Sequence, residues 1–244
     1  MKTLVIIPSR LSAQRLPGKP LIKIKGLSII SHVFKKAEEA NIGEVIVAAE
    51  DQEIVDDVKQ NGGQAILTKN EHKTGTDRIY EVFQKINSSD IDLIMNLQGD
   101  EPLMNIEDVR NLNKKMIESS SKLGTLASKI QDRTLLENPN VVKVLTKENL
   151  NQTNFPEAEN FMRNISQEKE NIYHHLGIYS YNKDTLEKFV SLNQSTNEIK
   201  NRLEQLRALD NDIKINVAFA NFNPIGVDTA EDLEAVKKIM ENKS

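Results

Sequence analysis

The sequence predicts a single α/β domain built on a mainly parallel sheet flanked by helices. Short apolar runs bounded by turn residues alternate, through about residue 118, with stretches whose apolar residues recur at helical spacing. That alternation marks βαβ units, whose crossovers are right-handed. A length of 244 residues suffices to bury one large α/β core.

Each element has its own signal. Residues 3–7 (TLVII), ended by Pro8, read as a buried parallel strand. Ile29, Ile30, Val33, Phe34 and Ala37 form one face of a helix. Residues 44–49 (EVIVAA) are a second strand, and 51–60 a helix stopped by Gly62 and Gly63. Strand 64–67, helix 76–86 and strand 93–97 (LIMNL) continue the pattern. Later strands fall at 125–130, 141–145, 172–181 and 214–220, with helices near 183–190, 198–209 and 229–240. The C-terminal half therefore carries a smaller, mixed β subregion. Residues 146–171, rich in Asn, Glu and Gln, read as a long irregular surface excursion. The domain divides functionally into residues 1–120 and 121–244.

Composition narrows the function. With 38% hydrophobic and 28% charged residues, the profile is that of a soluble globular protein. No apolar run approaches the ~20 residues that span a bilayer, and the apolar stretch 4–7 is too short for a signal-peptide core, so a cytoplasmic location and no membrane span are expected. The absence of cysteine excludes disulfides, thiolate zinc sites and cysteine nucleophiles. A net charge of −4 argues against a general nucleic-acid surface. The distribution of charge says more. No Asp or Glu precedes Glu38, while Lys2, Arg10, Arg15, Lys19, Lys23, Lys25, Lys35 and Lys36 do. A basic segment in an acidic protein suggests a bound anion, although single lysines also read as solvated surface.

The loop after the first strand, SRLSAQRLPGKPL (residues 9–21), leaves at the sheet edge where ligands bind in open parallel sheets. It brings Arg10, Arg15 and Lys19 together, and Pro17, Gly18 and Pro20 restrict it, which lowers the ordering cost on binding. Arginine forks and a lysine charge suit a triphosphate. The loop matches neither G-x-x-x-x-G-K-[ST] nor G-x-G-x-x-G. NLQGDEP (residues 96–102) ends the fourth strand, and strand alternation would point Gln98 and Asp100 to the same side. GVDTAEDL (residues 226–233) offers Asp228 just before a helix whose Thr229 and Asp232 resemble a capping box. Read from residues alone, Asp228 is either a ligand or a helix cap. In KTGTDR (residues 73–78), Thr74, Gly75 and Thr76 precede the third helix, where their backbone donors and acceptors could meet a ligand. The plain alternative there is Thr76 as N-cap with Arg78 on the surface. In HHLGIYSY (residues 174–181), strand alternation sets His175, Gly177, Tyr179 and Tyr181 on one side, with Leu176 and Ile178 on the other. In RLEQLRAL (residues 202–209), Glu204 and Gln205 lie off a helical core stripe of Ile199, Leu203, Leu206 and Leu209.

These motifs, in this order, resemble those of the bacterial 3-deoxy-manno-octulosonate (Kdo) cytidylyltransferases. The basic loop matches R-x4-R-L-P-x-K-P-L, and KTGTDR is similar to S-G-T-E-R with Asp77 in place of Glu. The resemblance runs from Met1 to about Met240 and implies a Rossmann-like nucleotide-diphospho-sugar transferase sheet. It implies transfer of CMP from CTP to the anomeric hydroxyl of Kdo, with release of pyrophosphate, for lipopolysaccharide synthesis. It assigns phosphate binding and catalysis to Arg10, Arg15 and Lys19, and a catalytic Mg²⁺ site to Asp100 and Asp228. The rest of the nucleotide site would be Pro8, Ser12, Thr74, Gly75, Arg78 and Gln98. The sugar acid would meet Gln98, Arg163, His175, Tyr179, Glu204 and Gln205. Arg163 enters through residues 161–165 (FMRNI), which align with the family's Y-F-S-R-x-x-I-P segment after an insertion of about six residues, Met162 standing for Ser. A homodimer is implied as well. Two alternatives accompany this reading: a cytidylyltransferase for another acid sugar, such as 8-amino-Kdo or a nonulosonic acid, and a non-catalytic nucleotide-binding paralogue.

Overall fold

The structure, a computed structural model, describes residues 1–12, 15–69, 71–165 and 170–242. Ala13 and Gln14 of the basic loop, and residues 166–169 of the 146–171 stretch, lie outside the described residues. The chain forms two units. One comprises Lys2–Glu107 and Pro224–Ser244; the other comprises Asp108–Asn223 with Met1.

The first unit begins with β1 (Thr3–Ser9), then a short hairpin of β2 (Lys23–Ile24) and β3 (Leu27–Ser28). There follow α1 (Ile29–Glu39), β4 (Gly43–Ala49), α2 (Gln52–Gln60), β5 (Ala65–Leu67), α3 (Gly75–Ile86) and β6 (Leu93–Asn96). The strands pair in parallel in the order β6-β1-β4-β5, with Val5 opposite both Met95 and Val45. Leu4, Val5, Ile6 and Ile7 are fully buried, as a central parallel strand covered on both faces requires. β1 runs on through Pro8 to Ser9, beyond the end expected at Pro8. Its pairing with β6 stops at Ile6, and beyond that point the ladder continues only against β4. A proline is tolerated there because one side of the strand no longer needs its N–H.

The second unit opens with α4 (Ile106–Ser119), which starts at the boundary. It continues with β7 (Leu123–Ser128), α5 (Thr134–Glu137), β8 (Lys143–Thr146), β9 (Ala158–Met162) and β10 (Ile172–Asn182). Then come α6 (Lys183–Ser191), α7 (Thr196–Asn201), α8 (Leu206–Leu209) and β11 (Asn216–Ala220). β11 pairs parallel to β7, while β10 pairs antiparallel to β7 and β8, and β8 antiparallel to β9. The whole is thus the α/β fold that the sequence predicts, parallel in the first unit and mixed in the second.

Three expectations need correction here. The 146–171 stretch contains strand β9, whose Ala158 and Phe161 are buried against β8. A break in register near Leu145 and Thr146 disrupts the alternation by which a strand is recognised. The helix expected over 198–209 is two helices, because Arg202 adopts a left-handed conformation at φ 53° and ends α7. Ile199 is consequently exposed and does not belong to the core stripe. In β10, the register shifts between Leu176 and Tyr179, so simple alternation does not carry across Gly177 and Ile178.

The last helix, α9 (Ala230–Asn242), returns to the first unit. Leu233 and Val236 on α9 join Val227, Ile24 and Ile29 in one buried cluster. A division of the chain near residue 120 therefore separates Asp228 from the unit in which it folds, because this apolar face draws the tail back. Among the described residues, no helix is long and apolar enough to cross a membrane.

Candidate functional site

In the first unit, four charged residues meet beyond the end of β1. Lys19 begins a single 3-10 turn, Lys19–Leu21, that Gly18 enters at φ 68°, a conformation costly for any other residue. The Lys19 ammonium donates to Asp100 Oδ2 at 2.6 Å and to Asp228 Oδ1 at 3.1 Å. Arg15 Nη2 donates to the other oxygen of Asp228 at 2.8 Å. Burial pulls the Lys19 pKa down, but the charges and hydrogen bonds of Asp100 and then Asp228 outweigh it and leave the pKa raised. Lys19 is therefore cationic at neutral pH.

The backbone explains why two aspartates so distant in sequence share one cation. Val227 N donates to Asp100 O at 2.9 Å, which lays the segment before α9 beside the turn after β6. Gly99 is needed in that turn, because a Cβ there would stand 2.8 Å from the carbonyl oxygen of Pro8. β6 ends at Asn96, so residues 97–100 form a turn, and the strand alternation invoked for Gln98 and Asp100 does not apply to them. Thr229, not Asp228, caps α9. Asp232 N donates to Thr229 Oγ1 at 3.2 Å, and Thr229 N donates back to Asp232 Oδ2 at 2.9 Å. That reciprocal box leaves both Asp228 oxygens to Lys19 and Arg15.

Glu101 is a residue that sequence reasoning missed. Its Oε2 is closed off from solvent without a hydrogen-bond partner among the described residues. Burial, and then the charges of Asp100 and Asp228, push its pKa up to about 8. Its Cγ lies 3.8 Å from where a Cβ on Gly226 would stand. The NLQGDEP motif contained it, but nothing local distinguishes a buried carboxyl from a solvated one.

The remaining nucleotide candidates divide into two groups. Arg10 and Ser12 are exposed on the basic loop, Pro8 is half-buried at the end of β1, and Gln98 is half-buried in the turn after β6. The loop is tied down where Leu11 N donates to Asp51 Oδ2 at 2.8 Å. Thr74 is the N-cap of α3, accepting from Asp77 N at 3.2 Å, and Asp77 Oδ2 accepts in turn from Thr74 N at 3.1 Å. The cap is thus two residues earlier than Thr76, which is buried in the first turn, and Gly75 opens the helix. Arg78 does not lie on the surface. It is buried, and its guanidinium bonds Thr68 Oγ1, the carbonyl of Lys69 and the Glu50 carboxylate.

In the second unit, the sugar candidates gather around β10. The His175 ring packs edge-on to Phe161 at 4.9 Å and lies 5.5 Å from the Tyr179 ring. Burial, and then neighbouring His174, lower the His175 pKa to about 3, so its imidazole is neutral. Its Nε2 is 3.0 Å from Thr125 Oγ1, whose single proton has the Ile178 carbonyl at 2.7 Å as its best acceptor. His175 therefore donates from Nε2 and keeps Nδ1 as an acceptor. Burial, then Tyr181 and Glu204, hold the Tyr179 pKa well above 10, so the phenol keeps its proton. Gln205 is buried and Glu204 half-buried, both in the turn between α7 and α8. Arg163 bonds three backbone carbonyls, those of Asn201, Pro139 and Arg202, at 3.0, 3.0 and 3.1 Å.

Residues 4–215 match the model of a cytidylyltransferase family. The 3-deoxy-manno-octulosonate cytidylyltransferase of Thermodesulfovibrio yellowstonii is 40% identical over 257 residues, covering 100% of both chains. The enzyme of the same name from Rhodopseudomonas palustris is 38% identical over 98% of both chains. Among solved structures, one described as CMP:2-keto-3-deoxy-manno-octonic acid synthetase complexed with CTP matches with a TM-score of 0.90 and 35% identity over the full length of both chains. With its acidic pair bridged by a loop lysine and its sequence kinship running end to end, this chain belongs to the 3-deoxy-manno-octulosonate cytidylyltransferase family of nucleotidyltransferases.

Proposed function

We infer that this enzyme transfers CMP from CTP to the anomeric hydroxyl of Kdo. The oxygen of that hydroxyl attacks the α-phosphorus and loses its proton, a new C–O–P linkage forms, and the bond to the β-phosphate breaks to release pyrophosphate. The observation that carries the reading is the convergence of Asp100 and Asp228 on Lys19, with Arg15 adjoining. No covalent nucleophile is needed, because positioning and fixed charge dominate such transfers.

In this reading Arg10, Arg15 and Lys19 hold the phosphates and offset charge on the leaving pyrophosphate. Thr74 and Gly75 at the start of α3 face the nucleotide, with Pro8, Ser12 and Gln98 completing its site. Arg78 serves from behind, by fixing Glu50 and the segment at 68–69. His175 supplies a neutral acceptor at Nδ1, Tyr179 a protonated hydroxyl, and Glu204 and Gln205 polar groups for the hydroxyls of the sugar acid.

The residues present fit a magnesium ion. Two carboxylates that already share one cation, beside a buried carboxyl whose Oε2 is orphaned, make an all-oxygen donor set suited to a hard divalent ion. Among the described residues, no three His, Asp or Glu side chains form a cage of their own. That suits an ion held by one or two carboxylates together with substrate phosphates. Asp100 and Asp228 would hold it, and when bound it would favour ionisation of the attacking hydroxyl and neutralise phosphate charge.

The same reading takes the enzyme to be a cytoplasmic homodimer whose product serves lipopolysaccharide synthesis. The test is a pyrophosphate-release assay with purified protein, CTP, Mg²⁺ and, separately, Kdo, 8-amino-Kdo and a nonulosonic acid. Release with Kdo at least tenfold faster than with either rival is the expected result. A preference for a rival sugar would reassign the substrate, and CTP binding without release for any of the three would identify a non-catalytic nucleotide binder.

A further inference from the structure

We propose that Glu81 is a positioning residue for nucleotide binding: it fixes the connector between β5 and α3, and through it the backbone of Thr74 and Gly75. The inference rests on the preceding placement of CTP against those two residues. Glu81 acts on that segment from the second turn of α3.

The connector has little to hold it in place by itself. Thr68 N donates to Ala49 O at 2.7 Å, which extends the pairing of β4 with β5 by one bond. No described residue from Thr68 to Thr74 belongs to a helix or strand. Side chains of α3 take over. Asp77, Arg78, Glu81 and Lys85 recur at spacings that set them along one side of the helix. Lys85 Nζ donates to Leu67 O at 2.6 Å at one end of the connector, and Asp77 meets Thr74 at the other. Arg78 takes Thr68 and the carbonyl of Lys69.

Glu81 holds the middle. Both of its oxygens accept from Lys69 N, at 3.1 and 3.3 Å, and Oε2 also bonds His72 Nε2. Lys85 Nζ completes the set at 2.7 Å from Oε1. The Glu81 and His72 side chains are 12% and 16% exposed, so water screens this pair little. Burial raises the Glu81 pKa, but hydrogen bonds from Lys85 and His72, and then from Lys69 N, outweigh it and leave it at about 2. The carboxylate is therefore ionised at neutral pH and only accepts, which makes His72 the donor. Without Glu81 the stretch from Lys69 to His72 loses its tie to α3, and the approach to Gly75 depends on the Thr74–Asp77 box. A connector that must be ordered when the ligand arrives costs affinity, and one already ordered does not.

Calorimetric titration with CTP and Mg²⁺, together with steady-state kinetics, tests this on the full-length enzyme. Glu81→Ala is expected to weaken CTP binding about tenfold, the scale of one lost charge-assisted bond. KM for Kdo and kcat at saturating CTP should stay within about twofold of the parent, because the sugar and the chemical step do not use the connector. His72→Ala should weaken CTP to a similar extent. The double variant should bind CTP little worse than either single one, because both substitutions cut the same tie. CTP affinity at the parent value in either single variant would overturn the proposal, as would two effects that multiply. Equal losses for CTP and Kdo would overturn it too, since they mark a general loosening of the fold. Should Glu81→Ala fail to accumulate as folded protein, Glu81→Gln takes its place in the cycle and decides between the same outcomes. Failure of the nucleotide reading itself would look different. Thr74→Ala would then leave CTP affinity unchanged as well, whereas the proposal fails alone if Thr74→Ala weakens CTP binding and Glu81→Ala does not.

Discussion

Each unit of the molecule is organised around an acidic and basic cluster, and the two clusters are built to opposite ends. In the first unit Lys19 lies between Asp100 and Asp228 with side-chain exposures of 12%, 29% and 46%. Two like charges are gathered around one ammonium, and Arg15, itself 60% exposed, covers the outermost oxygen. In the second unit Arg207 and Glu198 are 3% and 4% exposed, matched one to one and bidentate. Arg207 also lies 4.6 Å over the Phe189 ring. Partly solvated pairs add little to stability, whereas breaking a buried pair leaves an uncompensated charge. In the proposed function the first cluster stores electrostatic work for a ligand, whereas the second stores it in the fold.

The sharpest way to break this contrast is to remove one carboxylate from each. Asp100→Ala should lower turnover by at least about 100-fold, as for loss of a preorganised charge in a transition state, with folding stability within ~1 kcal/mol of the parent. Pyrophosphate release and urea denaturation measure the two quantities. Turnover near the parent value, or a large loss of stability, would erase the distinction. Glu198→Gln should do the reverse. It strands Arg207 and is expected to cost ~3–5 kcal/mol of stability, while KM for CTP stays unchanged in whatever folded protein remains.

Proton linkage sharpens the comparison further. In the second unit, burial and then His174 hold His175 at a pKa of about 3 against an ordinary 6.5. The unfolded chain takes up a proton near pH 6.5, and the folded protein does not until about pH 3. Stability is therefore fully present above pH 6.5 and falls as the pH is lowered from there toward 3. The loss should reach roughly 2 kcal/mol by pH 5. His175→Gln should flatten that slope in denaturant melts taken between pH 7 and 5, and an unchanged slope would assign the linkage elsewhere.

How much of this was legible in the sequence follows the same division. The parallel sheet, the basic loop and the two aspartates stand on local signals: apolar runs, restricted turn residues, and carboxylates just past a strand or just before a helix. Even there, locality misled where a neighbour decided the outcome. Thr74 rather than Thr76 caps α3, because Asp77 reaches back to it, and Arg78 is drawn inward by Glu50. In the second unit the decisive facts are long-range. Lys143 sits in an apolar stretch, and it is fully buried because the carbonyls of Asn138 and Arg163 meet its ammonium. Arg202 carries no glycine or asparagine signal for its left-handed turn, so the split between α7 and α8 was invisible. Strand β9 was hidden by a register shift. Burial of Glu101 likewise depends on the tail returning through Val227 and Leu233, which no window of sequence around residue 101 contains.

The smallest expected effect separates the clusters by their caps. α3 and α7 open with the same device: Thr74 with Asp77, and Ser195 with Glu198, each pair exchanging side-chain and backbone bonds. Removing the hydroxyl from either should cost ~1 kcal/mol. Ser195→Ala leaves the Glu198–Arg207 pair intact, so its loss should stay well below that of Glu198→Gln, and KM for CTP should not move. Thr74→Ala should cost the same stability but raise KM for CTP severalfold, because α3 begins where the nucleotide is proposed to bind. Equal KM values for CTP in the two variants would make both boxes purely structural and remove residues 74–75 from the nucleotide site, leaving the charged loop and the aspartate pair to account for CTP binding alone.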